Sequence, residues 1–451
     1  MRVHYHTFGC KANQYDTERM RQEVEARGAV TASAALDADV MIVNTCTVTN
    51  QADAEARRFI RRVRRERPDI RIVVAGCSAA LSHVEYDTMD GVVDVIAGHD
   101  PVQVASAVER QGFGGLTQIQ VRSSLDRIDH EPVGGELLQT RLGAARGWLK
   151  VQDGCDRKCS FCATRLARGT SRSRRPEDVI AEARLMAQHH AELVITGIHI
   201  GHYGIDLEPA SSLSKLCARL LDDVPDTRFR IGSVEATEVD DLLIELMASS
   251  GGRLAPHLHM PLQSGSDPVL RRMRRWHTRE QYRIRALEIA ERVDPLGLGA
   301  DVITGFPGET DEHHRDTRLL VEELPFTYLH VFPFSPRKNT AAEMLDSPVP
   351  QRIAGERARQ LREVALDHGL SYRAKRAGTV ASVVLEGDGG TGLTGDYLRV
   401  RVRGQRDHGS ADSLPVLRGF GSHAAVVTGT LRGDPDDLYI AVPQDSAFSQ
   451  A

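Results

Sequence analysis

The sequence predicts an α/β protein: an N-terminal open parallel α/β sheet, a central incomplete (β/α)6 barrel and a small all-β barrel at the C-terminus. Three observations predict it. Short apolar runs alternate with helical patterns over roughly the first hundred residues. The alternation resumes at residue 146 with six strand-like runs, two fewer than a closed (β/α)8 barrel needs. From residue 376 the pattern changes to β-rich runs split by glycine turns such as GDGGTG.

Residues 2–8 read as a strand. Residues 16–27 read as a helix with Asp16 as N-cap and Gly28 as its stop. Residues 40–44 read as a buried strand, 53–65 as a basic helix ended by Pro68, and 70–75 as a third strand. Cys10, Cys46 and Cys77 each fall just past one of these strands. Parallel strands share their C-terminal edge, where ligands bind, so three thiols distant in sequence can meet there. Residues 112–140 read as a linker with edge elements. The barrel strands are expected at 148–152, 193–196, 228–232, 257–260, 300–303 and 330–334, with helices at 176–189 and 278–292 among others. Residues 351–375 form a charged amphipathic helix. The domain boundaries are then 1–115, a linker 116–140, 141–375, 376–442 and a short tail 443–451.

The chain has 451 residues, 41% hydrophobic and 26% charged, and no apolar run approaches the ~18 residues of a membrane span. Residues 1–16 contain no apolar leader segment, so no signal peptide, no membrane partner and a cytoplasmic location are expected. A net charge of −5 excludes a uniformly basic nucleic-acid binder. Local charge differs: RRFIRRVRRER at 57–67, RLARGTSRSRR at 165–175 and RRMRRW at 271–276 could each neutralise phosphates or form a solvated face. Arg399, Arg401 and Arg403 alternate with apolar residues and so share one strand face, which suits RNA.

Seven cysteines without a secretion signal argue for metal or catalytic roles over a disulfide framework. Cys155, Cys159 and Cys162 form a C-x3-C-x2-C loop directly after the first barrel strand. Three thiolates there can hold three irons of a [4Fe–4S] cube and leave the fourth iron open. Structural zinc is the alternative, with His199, His202, His257 or His259 as the fourth ligand. Cys217 reads as a buried helical thiol, and His257 and His259 as packed histidines on one strand face.

VQDGCDRKCSFCATRLARGTSRSR resembles the cluster loop of radical S-adenosylmethionine enzymes. TFGCKANQYDTE, NTCTVTNQADAEAR and AGC at the first three cysteines resemble the N-terminal domain of methylthiotransferases. The likeness continues through TGIHIG, HLHMPLQSGS, ADVITGFPGET and HVFPFSPRKNT, and GLTGDYLRV resembles the RNA-binding TRAM module. The resemblance implies two [4Fe–4S] clusters and S-adenosylmethionine. The Cys155 triad would generate a carbon radical, and the Cys10 triad would deliver sulfur. Lys11-Ala12-Asn13 and Asp16-Thr17-Glu18 most resemble the branch acting on N6-threonylcarbamoyladenosine of tRNA. Branches acting on isopentenyladenosine or on a ribosomal-protein aspartate, and a zinc-containing RNA-binding protein, are the alternatives. The resemblance also implies tRNA, a low-potential electron donor such as flavodoxin or ferredoxin, and a sulfur source as partners.

It further places Thr196 and Gly197, Ser233 and Glu235, and Gln263 beside the cofactor, with Phe334 packing on its adenine. Ordinary turn, cap and core roles are open for the same residues. Arg165 and Arg168 could meet substrate phosphate or orient the cysteine loop. Trp276, where the family has tyrosine, could stack on a base. Asp156-Arg157-Lys158 is more charged than the family pattern.

Overall fold

The computed structural model describes residues 1–112, 137–141, 143–387, 390–404 and 426–442. The tail 443–451 and most of the expected linker lie outside these residues. The N-terminal unit runs β1 (Arg2–Thr7), α1 (Lys11–Ala26), β2 (Val30–Thr31), β3 (Val40–Thr45), α2 (Asn50–Glu66), β4 (Arg71–Gly76), α3 (Cys77–Leu81), α4 (His83–Asp87), β5 (Val92–Val95) and α5 (Pro101–Gly112). Its five strands are parallel in the order β2-β1-β3-β4-β5. All six residues of β3 are buried, because helices cover both faces of the sheet. Thr7 pairs with Asn44 and Thr45 with Gly76. The three strands therefore stop together, and Cys10, Cys46 and Cys77 follow at one edge.

Helix α1 begins earlier than expected. Cys10, not Asp16, is its N-cap, and it makes no side-chain capping bond. Asp16 lies in the second turn, buried, because two cations of the next unit draw its carboxylate inward.

The central unit contains β6 (Arg146–Lys150), β7 (Gln152–Asp153), α6 (Thr164–Arg168), β8 (Arg172–Ser173), α7 (Pro176–Ala187), β9 (Glu192–Thr196), α8 (Leu213–Asp223), β10 (Arg228–Ile231), α9 (Asp241–Ser249), β11 (His257–His259), α10 (Asp267–Arg272), α11 (Arg279–Arg292), β12 (Gly297–Thr304), α12 (Asp311–Glu323) and β13 (Tyr328–Pro333). Strands β6-β9-β10 and β11-β12-β13 are parallel, and a parallel bridge from Ser233 to His259 joins the two sets. This is the six-stranded open barrel expected. Helix α1 lies along its β6 edge, where Trp148 Nε1 donates to Gln14 Oε1 at 3.0 Å.

Helix α13 (Gln351–Arg376) leads to β14 (Val380–Glu386), β15 (Thr391–Thr394), β16 (Arg399–Gly404), β17 (Val426–Arg432) and β18 (Tyr439–Val442). These close into a barrel ordered β14-β15-β16-β18-β17 around Val383, Val400, Leu431 and Ile440. This small barrel plugs the floor of the large one. Arg230 donates to the Thr394 and Gly395 carbonyls at 2.8 Å, and Arg228 to those of Ser382 and Leu393 at 3.0 Å. Gly297 has to be glycine here, since a Cβ would lie 2.2 Å from the Asp396 carbonyl oxygen.

Candidate active site

At the C-terminal strand edge of the N-terminal unit the backbone brings the cysteine loops close by dispensing with side chains. Gly9 has φ of +96°, and a Cβ there would fall 2.4 Å from Cys46 Sγ. Gly76 has φ of +98°, and a Cβ would fall 2.2 Å from Asn44 Oδ1. Only glycine accepts both the conformation and the approach. Asn13 ties the loops together by donating to the Phe8 and Thr45 carbonyls at 3.0 and 2.8 Å. The Cys46 and Cys77 thiols are buried, and Cys10 is exposed. All seven cysteines are free.

The second triad sits on the loop between β7 and α6. Cys155 N donates to the Gly169 carbonyl at 3.0 Å, and Ser160 is clasped by backbone bonds to Met273 and Ala342. Two polar groups approach its sulfurs. His199 Nδ1 lies 3.6 Å from Cys155 Sγ, with its other nitrogen 2.9 Å from Glu238. Arg275 Nη1 lies 3.6 Å from Cys159 Sγ and its other nitrogen binds Glu235. Hydrogen bonds to cluster sulfurs are a recognised means of setting a reduction potential.

Burial pushes Cys77 and Cys155 each up to about 12, and raises Cys46 and Cys159 as well. Within each triad the thiols also raise one another. Such sites disfavour bare thiolates and favour a metal group that supplies positive charge. Two sets of three free thiols, one at strand ends and one on a single loop, therefore fit iron–sulfur clusters with one protein-free corner each.

Arg168, in the helix that follows the second triad, connects the two. It is fully buried. Its Nε donates to Cys77 Sγ at 3.1 Å, its Nη1 to Asp153 at 3.0 Å and its Nη2 to Asp16 at 2.8 Å. Lys150 bridges the same carboxylates at 2.7 and 2.6 Å, and His99 reaches Asp153 at 2.7 Å. Burial alone would raise both carboxyls, but these cations outweigh it and hold both below the usual range. A second tie lies beyond β13, where Arg337 binds Asp53, Asn50 and Thr47 close to Cys46.

The other expected positions separate. Thr196 and Gly197 end β9, where a Gly197 Cβ would crowd the Gln152 carbonyl at 2.7 Å. Ser233 is exposed at the end of β10. Glu235 is buried, and burial raises its carboxyl despite the Arg275 guanidinium. Gln263 has φ of +65° and bridges to β12 through its backbone. Phe334 packs edge-on against Phe306, in a cluster that includes Phe161 of the cysteine loop. It therefore packs beside that loop at the end of β13.

Three further expectations change. Arg168 serves the domain interface, not substrate phosphate. Arg174, counted in the same basic stretch, is buried on Glu182 and Tyr15. Trp276 is covered by the guanidinium groups of Arg157 at 4.0 Å and Arg275 at 4.2 Å, which leaves little of its ring for a base. Arg399, Arg401 and Arg403 share an outer strand face as expected, where each is paired with Glu386 or Asp437. Cys217, His257 and His259 are buried as expected. The interface residues His99, Lys150 and Asp153 and the His199–Glu238 pair were not foreseen. Arg157, in the charged stretch between the cysteines, pairs with Glu238 and was a signal for that pair alone.

An open six-stranded barrel with three cysteines after its first strand defines a radical S-adenosylmethionine enzyme. The radical SAM superfamily model matches residues 149–321, and that of "uncharacterized protein family UPF0004" matches residues 2–98. The chain is 34% identical to threonylcarbamoyladenosine tRNA methylthiotransferase MtaB of Bacillus subtilis, covering 90% of this chain and 91% of that protein. It is 36% identical to the MtaB of Thermotoga maritima, covering 85% and 86%. The tRNA-2-methylthio-N(6)-dimethylallyladenosine synthase of Bacillus licheniformis is 33% identical, covering 85% and 75%. The chain thus belongs to the radical S-adenosylmethionine tRNA methylthiotransferase family. Among solved structures, the radical S-adenosylmethionine methyltransferase TsrM from Kitasatospora setae shares the fold, with a TM-score of 0.53 at 16% identity over 80% of this chain and 84% of that one. No helix among the described residues is long and apolar enough to cross a membrane.

Proposed function

We propose that this chain converts N6-threonylcarbamoyladenosine, next to the tRNA anticodon, to its 2-methylthio derivative. The observation that carries the reading is Arg168. One side chain runs from the helix after the radical SAM cysteine loop to Cys77 of the other triad, so the two triads serve one site. Cys155, Cys159 and Cys162 would hold one [4Fe–4S] cluster, with an open iron for S-adenosylmethionine. Cys10, Cys46 and Cys77 would hold the second. When bound, these groups supply a carbon radical able to take hydrogen from an unactivated C–H bond, together with the sulfur and methyl group to be installed.

The chain's own residues do the positioning. Arg275 and His199 set the polarity around the Cys159 and Cys155 sulfurs. Thr196, Gly197, Ser233 and Gln263 line the strand ends where cofactor and base would sit, and Glu235 acts through Arg275. The α/β units at 1–115 and 141–375 divide sulfur delivery from radical generation. We read the C-terminal barrel, 376–442, as a TRAM module that meets RNA through Arg399, Arg401 and Arg403. A flavodoxin or ferredoxin would supply electrons, and a separate sulfur source would restore the second cluster, in the cytoplasm.

Nucleoside mass analysis of tRNA from cells with and without the protein tests the reading. Loss of the 2-methylthio group from threonylcarbamoyladenosine on deletion is expected. Its retention, with loss from dimethylallyladenosine instead, would overturn the substrate assignment.

A further inference from the structure

The N6 groups named for the two kinds of relative differ in charge. A threonylcarbamoyl group ends in a carboxylate, whereas a dimethylallyl group is a neutral hydrocarbon. The inside of the large barrel carries a matching asymmetry. At its floor Arg146, Arg228 and Arg230 meet two carboxylates. Glu192 takes Arg228 at 2.6 Å and Arg230 at 2.9 Å, and Glu386 takes Arg146 at 2.6 Å. One guanidinium charge is left in excess.

Lys11 adds a second. It is the first residue of α1, directly after Cys10, and it is partly buried. Among the described residues its side chain forms no hydrogen bond and no ion pair. Its ammonium lies 5.9 Å from the Trp148 ring centroid, at the outer limit of a cation–π contact, and Arg141 holds the nearer position at 4.3 Å. Trp148 belongs to β6, the strand that also carries Arg146, so the ammonium lies at the β6 wall of the barrel. A sheltered ammonium with no carboxylate paired to it is costly unless an anion arrives.

We propose that Lys11 is the specificity-determining residue that takes the carboxylate of the substrate's N6 side chain. The inference rests on the tRNA methylthiolation reading above and names the chemistry that selects its substrate. With the carboxylate on Lys11, the N6 arm extends into the barrel past Trp148, beside the Cys10 triad. A neutral N6 group would leave the lysine unpaired and so bind less well.

The test uses reconstituted holoenzyme and two anticodon stem-loop RNAs, one bearing threonylcarbamoyladenosine and one its methyl ester, which differ in the side chain's charge and by a single methyl group. We expect the wild type to favour the carboxylate RNA in kcat/KM by on the order of 30-fold, the range of a charged hydrogen bond. Lys11→Met should reduce that preference to within about threefold, and Lys11→Arg should retain most of it. Should Lys11→Met fail to take up iron, Lys11→Gln serves the same comparison. A preference that persists in the neutral variants, or a wild type that handles both RNAs alike, would overturn the proposal. A wild type that methylthiolates neither RNA would instead overturn the reading of the reaction on which it stands.

Discussion

The two cysteine triads are assembled in opposite ways. Cys155, Cys159 and Cys162 sit on one loop, so eight consecutive residues define that site. Cys10, Cys46 and Cys77 come from three strand ends, and their meeting depends on the registers of β1, β3 and β4 and on two glycines. The first triad is local, and most of the barrel could loosen before it dispersed. The second is a product of the fold, and its stability is that of the sheet and of the buried charges beneath it. The difference explains why Arg168, Lys150, Asp16 and Asp153 are concentrated behind the strand-end triad.

Substituting one cysteine in each triad should give the largest and most distinct effects. Cys155→Ala is expected to abolish reductive cleavage of S-adenosylmethionine, with 5′-deoxyadenosine as the readout. Cys46→Ala is expected to keep cleavage and lose methylthiolation of the RNA. If both variants lost cleavage, the triads would not be separate in function.

Arg168→Met sharpens the contrast. It leaves Asp16 and Asp153 buried with less positive charge, which typically costs about 3–5 kcal/mol. Denaturant unfolding should show that loss, and iron should go from the strand-end site first. Unchanged stability would mean the network does not hold the two units together.

Much of this contrast was legible in the sequence. The strands of both α/β units are apolar runs, and the cysteines follow them at once, so period and position sufficed. The start of α1 was not legible, because Cys10 is an unusual cap and Lys11-Ala12-Asn13 carries no capping signature. Strand β2 is two residues long, and Asp94 interrupts β5, so neither stands out from its surroundings. The role of Arg168 depends on partners at positions 13, 16, 77 and 153, which no local pattern brings together. Its basic neighbours made a surface role look equally good.

Glu192 provides a pH-dependent test of the barrel floor. Burial would raise its carboxyl, but Arg230 and Arg228 bring it down to about 2. A depressed carboxylate stabilises the fold fully above its unfolded value near 4.3 and progressively less as pH falls through 2. Wild type should therefore exceed Glu192→Gln by about 3 kcal/mol at neutral pH, and the gap should close between about pH 5 and pH 2. A gap independent of pH would mean the ion pairs are not its source.

The smallest effect is expected at the arginine face of β16. Arg399, Arg401 and Arg403 already pair with surface carboxylates, and such exposed pairs contribute roughly 0–1 kcal/mol each. Replacing all three with alanine should weaken tRNA binding several-fold and flatten its salt dependence by up to about three charges, while cleavage of S-adenosylmethionine is preserved.

Iron and sulfide analysis of anaerobically purified protein tests the central claim, two separately held clusters, most directly. The wild type should contain about eight irons and eight sulfides per chain, and Cys46→Ala and Cys155→Ala about four of each. Stoichiometric zinc with little iron, or loss of all iron from either single substitution, would contradict it.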